Sequence, residues 1–352
     1  MEDLPHNLEV EVEVKLLKDG KVILDKLTAD LLRALSVTGS LLAAAKSVEV
    51  PYSRAWRAIT SLERKIGHPV IIPRRGGRYG GGSSLTDVGR ELLAYYTKVE
   101  RKFAPKVRDL TIKGFERPDL AVMGSHDFLL EEILKDLARR GFRVEEHWIG
   151  SYGGFLSLMI GDADVAGTHL LDPATMQYNI PIVKEMFPEG VVLIRGYDRE
   201  VGWVYRRGKG FKEEDLVRGK LVLANRNKGS GTRILIDRLL SDLASKVGLG
   251  YSELRKMIKG YEHEYPTHTA VCRAVAEGKA DVTIAIRSVA ELYGLEFKRI
   301  CWERYDFAVR EESLERDAVS EFVNLISKRE LSRRASSMEG YRIPEDTGRR
   351  LI

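Results

Sequence analysis

Pro51-Tyr52-Ser53-Arg54-Ala55-Trp56-Arg57-Ala58-Ile59-Thr60-Ser61-Leu62-Glu63-Arg64-Lys65-Ile66-Gly67 is the stretch that decides how the chain is read. At about 100° per residue, Ala55, Ile59, Leu62 and Ile66 fall on one helical face. Arg54, Arg57, Ser61 and Arg64 fall on nearly the opposite face. The apolar side predicts packing on a preceding helix, and Ser40 to Lys46 supplies one, rich in small residues. The basic side is left for something anionic. Downstream, Pro69-Val70-Ile71-Ile72-Pro73 leads into Arg74-Arg75-Gly76-Gly77-Arg78-Tyr79-Gly80-Gly81-Gly82. Glycine permits tight turns and close approach, and arginine presents forked donors that match phosphate oxygens. A basic helix followed by a basic glycine hairpin predicts a winged helix-turn-helix, with the helix in a major groove and the wing on the backbone or minor groove.

A charged helix face is usually only solvated, so no single arginine decides the matter. The cluster does. Arg54, Arg57, Arg64, Lys65, Arg74, Arg75, Arg78 and Arg90 stand against Glu63 and Asp87 between positions 51 and 90. This local excess points to double-stranded DNA, with Ser53, Arg54, Arg57, Ser61, Arg64, Arg74, Arg75 and Arg78 as the expected contacts. Ser40 to Lys46, the Tyr52-Ser53-Arg54-Ala55-Trp56 segment, the Gly76 to Gly82 wing and Leu85-Thr86-Asp87-Val88-Gly89 together resemble the DNA-binding domain of the ModE family of molybdate-dependent transcriptional regulators. LysR-type regulators share the layout more loosely. The resemblance covers about the first third of the chain.

The 352 residues are 43% hydrophobic and 31% charged, which suits two or three domains with real cores. A net charge of +5 permits nucleic-acid contact without demanding it. Cys272 and Cys301 are too few for a disulfide framework, and they fit a reducing, cytoplasmic setting. No apolar run reaches the length of a membrane span, and the acidic, alternating N-terminus does not read as a signal peptide.

Around the decisive stretch, Val10, Val12, Val14 and Leu16 alternate with charged residues and predict a strand. Asp19-Gly20 turns it into a return strand, Lys21 to Leu24. Thr28 is the expected N-cap of a first helix ending near Gly39, and Ser40 caps the next. Thr86 caps a helix beginning at Asp87, in which Leu92, Tyr96, Val99 and Phe103 recur at helical spacing. The family resemblance implies that this linker helix pairs two subunits into a homodimer; packing within one subunit is the alternative.

After Lys113 to Pro118 the pattern changes to alternating strands and helices. Strands are expected at Asp119–Gly124, Arg143–Ile149, Asp164–Gly167, Leu221–Ala224 and Asp281–Ile286. Crossing strands are expected at Val191–Ile194, Gly202–Tyr205 and Tyr305–Val309. The alternation predicts a parallel, doubly wound sheet. Thr168 to Pro173, Gly229-Ser230-Gly231-Thr232-Arg233, Thr267 to Val271 and Glu303 to Asp306 resemble the type II periplasmic-binding-protein fold. The expected fold is therefore an α+β winged helix-turn-helix followed by an α/β two-lobed periplasmic-binding-protein-like domain. The boundaries are 1–86 for the DNA-binding head, 87–117 for the linker helix and 118–352 for the ligand domain. Within the last, lobe 1 takes 118–204 and 303–352, and lobe 2 takes 205–302.

Gly229-Ser230-Gly231-Thr232 opening a helix exposes amide donors at a positive helix end, an anion cradle. It lacks the Gly-Lys-Ser/Thr of a nucleotide-hydrolysing loop. Simple capping by Ser or Thr is the bland alternative. Ser125, Ser151, Tyr152, Thr168, Thr267 and Thr269 lie in loops expected to converge on the same cleft, and Arg233 can add charge. His126, His169 and His268 are read as helix-start hydrogen bonders rather than a metal triad. No nucleophile–base pair is visible from spacing.

These observations predict a ligand-responsive transcriptional regulator with no resident cofactor and no catalytic residues. The resemblance implies molybdate or tungstate as effector, or a molybdopterin-type compound. The alternative is a molybdopterin-related enzyme with a winged-helix docking module.

Overall fold

The structure is a computed structural model that describes residues 13–74, 82–103, 116–172, 174–187, 189–228 and 230–352. The chain divides into two compact units, Met1–Arg117 with Ile160–Asp162, and Pro118–Met159 with Ala163–Ile352.

The first unit opens with the hairpin β1 (Leu16–Lys18) and β2 (Lys21–Leu24), turned by Asp19 and Gly20 at positive φ. Most of the alternating segment expected to form the first strand lies outside the described residues, and Val14 precedes β1. Helices α1 (Lys26–Thr38), α2 (Leu41–Ser47) and α3 (Tyr52–Ile66) follow. Thr28 is not the cap of α1. Asp25 is, because its carboxylate accepts from both the amide and the hydroxyl of Thr28, so the helix begins at Lys26. Ser40 caps α2, and Gly39 and Gly67 end α1 and α3 in the left-handed conformation. Ala55, Ile59 and Leu62 are buried on the inner face of α3.

Strands β3 (Ile71–Arg74) and β4 (Gly82–Leu85) pair antiparallel as the base of the wing. Helix α4 (Asp87–Phe103) starts at a Thr86 cap. A side chain at Gly89 would strike the Val70 carbonyl, so only glycine lets α4 approach the wing this closely. Tyr96 points inward, donating to the Val14 carbonyl, and Arg33 joins α1 to Glu100 of α4 at 2.9 Å.

The second unit carries β5 (Leu120–Gly124), α5 (Phe128–Arg139), β6 (Val144–Trp148), α6 (Gly150–Met159) and β7 (Val165–Thr168) in one lobe. In this sheet the parallel pairings are β6 with β5 and β5 with β7. The expected all-parallel sheet is thus corrected to a mixed one. Two 15-residue strands, β8 (Val191–Tyr205) and β12 (Glu296–Arg310), run antiparallel to each other, and β12 runs antiparallel to β7. The segments read as separate crossings at 191–194 and 202–205 are one strand, continuous because residues 192–204 are buried throughout.

Beyond the crossing, β9 (Asn225–Arg226) pairs with β10 (Glu264–Tyr265), and β11 (Val282–Ile286) pairs with β8. The expected strand at 221–224 is reduced to isolated bridges at Val222 and Leu223. Near the C-terminus, β13 (Tyr341–Arg342) adds to β8.

Two apolar cores form on either side of the crossing strands. One gathers Leu120, Ile133, Val165, Phe307 and Phe322, and the other Trp203, Leu240, Val271, Ile284 and Val289. The strands that share both cores are the hinge of a two-lobed domain.

Candidate functional sites

In the first unit, Arg54, Arg57 and Arg64 are exposed on α3, with Ser53 and Ser61 partly exposed beside them. None of the three arginines forms an ion pair with a described carboxylate. The reason is visible in what the acids do instead. Glu63 turns away and accepts from the Val70 amide at 2.9 Å, fixing the entry to the wing. Asp87 is taken by Arg90 at 2.5 Å. Arg57 Nε donates to the Ser53 carbonyl, and Lys65 Nζ to the Val22 carbonyl, tying α3 to the hairpin. Arg74 lies in β3, and its side chain is outside the described residues, as are Arg75 and Arg78.

The same unit holds a carboxylate that sequence reasoning missed. Asp162 is buried and accepts from Ser40 Oγ at 2.7 Å, Tyr52 Oη at 3.2 Å and the Leu42 amide at 3.3 Å. It ties the start of α2 to the start of α3. Burial pushes its carboxyl up to about 6, against the pull of the three donors. Nothing local in sequence distinguishes it, since its partners lie more than 100 positions away.

In the second unit, the hydroxyls singled out from sequence fall into three groups. Thr168, Ser230 and Thr267 each make a structural hydrogen bond. Thr168 donates to Asn179 Oδ1 at 3.1 Å, Ser230 caps the helix Gly231–Lys246, and Thr267 caps the helix His268–Ala276. Ser125 and Ser151 meet each other at 2.9 Å. Thr232 is buried in the first turn of the helix Gly231–Lys246 with its hydroxyl unpartnered. Ser151 and Tyr152 lie in the first turn of α6 rather than in a loop, Tyr152 being well exposed. Thr269 lies half-buried in the first turn of the helix His268–Ala276. Gly229 lies outside the described residues.

Arg233, expected as a ligand donor, is held by partners within the domain. It pairs with Asp237 at 3.0 Å and Glu264 at 2.9 Å, donates to the Arg226 carbonyl, and stacks on Tyr261. Its charge is neutralised before any ligand arrives.

The free charge belongs to Arg226 on β9, which the sequence reading passed over. Arg226 is 5% exposed. Its Nη2 donates to the Pro266 carbonyl at 3.1 Å, while Nε and Nη1 have no partner among the described residues. Burial, then the neighbouring Arg199, pull its guanidinium down to about 10, so it remains cationic at neutral pH. His268 is buried too, with Nδ1 unpartnered. Burial followed by Arg226 and Arg199 drives its pKa well below the ordinary histidine value, so it stays neutral.

Facing these groups stands a buried chain. His169 Nε2 is 2.9 Å from Ser125 Oγ, and His169 Nδ1 is 2.9 Å from Glu303 Oε1. Arg199 grips Glu303 Oε2 through Nε and Nη2 at 2.8 and 2.7 Å, and Asp127 through Nη1 at 2.9 Å. Burial would raise the Glu303 pKa, but His169 and Arg199 hold it down to about 2. Burial also lowers the His169 pKa, with Glu303 opposing.

Hydroxyl, imidazole and carboxylate thus stand in the order used by acyl-transfer triads, an arrangement that residue spacing hid. The His169 Nδ1 contact is close but not aligned as a hydrogen bond, and the Ser125 hydroxyl is shared with Ser151. Among the described residues no group of three or more His, Cys, Asp or Glu is arranged to hold a metal. Cys272 is a buried helix residue whose thiol is pushed up to about 12 by burial.

Residues 134–327 match the PBP superfamily domain. YvgK of Bacillus subtilis, an uncharacterized protein, is 30% identical over 239 residues, covering 64% of this chain and 72% of that one. The N-terminal region is similar to molybdenum regulators. The molybdenum transport protein ModE of Azotobacter vinelandii is 40% identical over 73 residues, 21% of this chain and 27% of that one. The DNA-binding transcriptional dual regulator ModE of Escherichia coli is 29% identical over 89 residues, 25% of this chain and 34% of that one. The chain therefore spans about a third or less of these two ModE proteins. Among solved structures, an OxyR C206 mutant of Corynebacterium glutamicum aligns over 88% of this chain and 94% of that one, at 17% identity and a TM-score of 0.38. No helix among the described residues is long and apolar enough to cross a membrane.

Proposed function

This chain belongs to the PBP superfamily, and from that premise we propose that it is a transcriptional regulator whose winged-helix head binds DNA and whose two-lobed domain senses a small anion. The observation that carries the reading is the exposed face of α3, where Arg54, Arg57 and Arg64 have no carboxylate partner among the described residues while the nearby acids are committed elsewhere. Cations left free beside a glycine-rich wing match a phosphate backbone. The similarity to ModE proteins supports DNA as the partner and makes molybdate or tungstate the first effectors to test. A homodimer through α4 and the residues after it would double the DNA contacts and set the half-site spacing. The domain boundaries we propose are 1–86, 87–117 and 118–352, with Ile160–Asp162 packing in the first compact unit.

The test is a gel retardation of the protein's own upstream DNA, with and without molybdate or tungstate, alongside a tryptophan-fluorescence titration of the same anions. Retardation that changes with an anion supports the regulator. A protein that retards no DNA from its own locus is not the regulator proposed.

The Ser125–His169–Glu303 chain favours a second reading, an acyl-transfer enzyme. The shared Ser125 hydroxyl and the unaligned imidazole rank it below. Turnover of an activated ester that is lost in Ser125→Ala would reverse that ranking.

A further inference from the structure

We infer that Arg226 is the charge anchor of a site for a small tetrahedral oxyanion, completed by the Thr232 hydroxyl and His268 from one lobe and by Ser125 and His169 from the other. The inference rests on the reading of this domain as an anion sensor and deepens it to a ligand class and a set of residues.

The argument begins with an imbalance. A guanidinium removed from water is costly unless a counter-charge and hydrogen bonds replace the water. Arg199 and Arg233 obey this rule. Arg199 has Glu303 and Asp127, and Arg233 has Asp237 and Glu264. Arg226 is as deeply buried as Arg233, yet among the described residues no carboxylate pairs with it and its Nε and Nη1 have no partner. Glu303 cannot serve, because one oxygen is held by Arg199 and the other lies against His169.

The bare groups are related through His169, on which Arg226 acts electrostatically and against which Gly231, the residue before Thr232, is packed. Arg226 and Arg199 both act electrostatically on His268 and on His169. The Thr232 hydroxyl and the His268 ring belong to the first turns of two helices, of 16 and 9 residues, whose positive ends favour an anion. A buried uncompensated cation, an unpaired hydroxyl and an unpaired imidazole nitrogen are what an oxyanion would satisfy.

Size follows from Gly231. A β-carbon there would lie 2.6 Å from both Nδ1 and the backbone oxygen of His169. The lobes therefore meet at this point. A compact XO4 dianion would require less separation of the lobes at such a contact than a ring-bearing pterin.

The test uses the full chain. Isothermal titration with sodium molybdate, tungstate and sulfate is run on the wild type, Arg226→Gln, Arg226→Lys and Thr232→Val, with thermal unfolding of each protein lacking anion. The wild type should bind at least one of the three. Arg226→Gln should lose on the order of 100-fold in affinity, Arg226→Lys should recover part of it, and Thr232→Val should lose roughly fivefold. Without anion, Arg226→Gln should melt no lower than the wild type, because it removes an uncompensated charge. Wild-type binding with Arg226→Gln within threefold would overturn the anchor and leave the sensor reading standing. A large fall in the melting point of Arg226→Gln would make Arg226 a structural cation and also overturn the anchor. No binding of any of the three anions by the wild type would overturn both.

Discussion

Gly231 sits directly against His169, so that a β-carbon on the first would come within 2.6 Å of the second's ring nitrogen and carbonyl oxygen. The two residues belong to opposite lobes, one opening the helix Gly231–Lys246 and the other following β7. Gly231→Ala should hold the lobes apart. Alanine is the better helix former, so unfolding without ligand should move by only a degree or two, on the order expected for a few tenths of a kcal/mol. Anion affinity should fall by roughly tenfold or more, because the groups of the two lobes no longer converge. Calorimetric titration with molybdate or tungstate reads the affinity. Unchanged binding in the variant would show that closure at this contact is not needed.

Arg54 and Arg57 occupy the exposed face of α3 without acidic partners among the described residues. Their replacement by alanine should leave the head folded, since the buried face is Ala55, Ile59 and Leu62. If both contact phosphate, the slope of log affinity against log salt should shrink by about two. If one reads a base edge, discrimination at that position should relax by about 1–3 kcal/mol. Retardation assays across a salt series distinguish these outcomes, and unaltered binding in the double variant would place the recognition helix elsewhere.

What sequence disclosed and what it hid follow one physical division. Helix faces, caps and turns are local, and α3, the Ser40 cap and the Asp19-Gly20 turn were legible from a few neighbouring residues. Thr28 misled because two cap-forming side chains lay three positions apart, and the carboxylate of Asp25 satisfied both donors of Thr28. The site depended on contacts across the fold. Arg233, next to the glycine loop, reads from sequence as a ligand cation, and the fold sets Asp237 and Glu264 against it. Arg226 looked ordinary in a short polar segment. Only burial without a carboxylate sets it apart, and no periodicity encodes that. The mixed sheet was hidden for a similar reason: β8 is buried along nearly all its length and β12 from Tyr305 to Val309, so neither carries an alternation that reveals its direction.

Arg199 joins the two halves of the hinge, gripping Glu303 on β12 while its other nitrogen reaches Asp127, the cap of α5. Breaking a buried pair leaves an uncompensated charge and costs about 3–5 kcal/mol. Arg199→Gln should therefore destabilise the domain by roughly that amount, in contrast to Arg226→Gln. Urea unfolding monitored by circular dichroism measures the loss. A destabilisation below about 1 kcal/mol would mean that Glu303 and Asp127 find other partners.

Asp162 gives the head a pH dependence of predictable sign. Its carboxyl is raised to about 6 in the folded protein, mainly by burial, against about 3.9 in an unfolded chain. A raised carboxyl binds its proton more tightly in the native state. Its contribution is fully present below pH 4 and is lost as pH rises through 6, after which it is flat. The difference of about 2 pH units corresponds to about 3 kcal/mol. Carboxylates held low, such as Glu303 at about 2, produce the opposite slope at more acidic pH and obscure the raw curve. Comparison with Asp162→Asn removes them, because they are common to both proteins. Stability of the wild type relative to Asp162→Asn should fall by about 2 kcal/mol between pH 4 and 7, with most of the change between pH 4 and 6. Chemical unfolding at half-unit pH intervals provides the measurement. A difference that stays constant over that range would mean that the hydrogen bonds from Ser40, Tyr52 and Leu42 fully offset the burial of the charge.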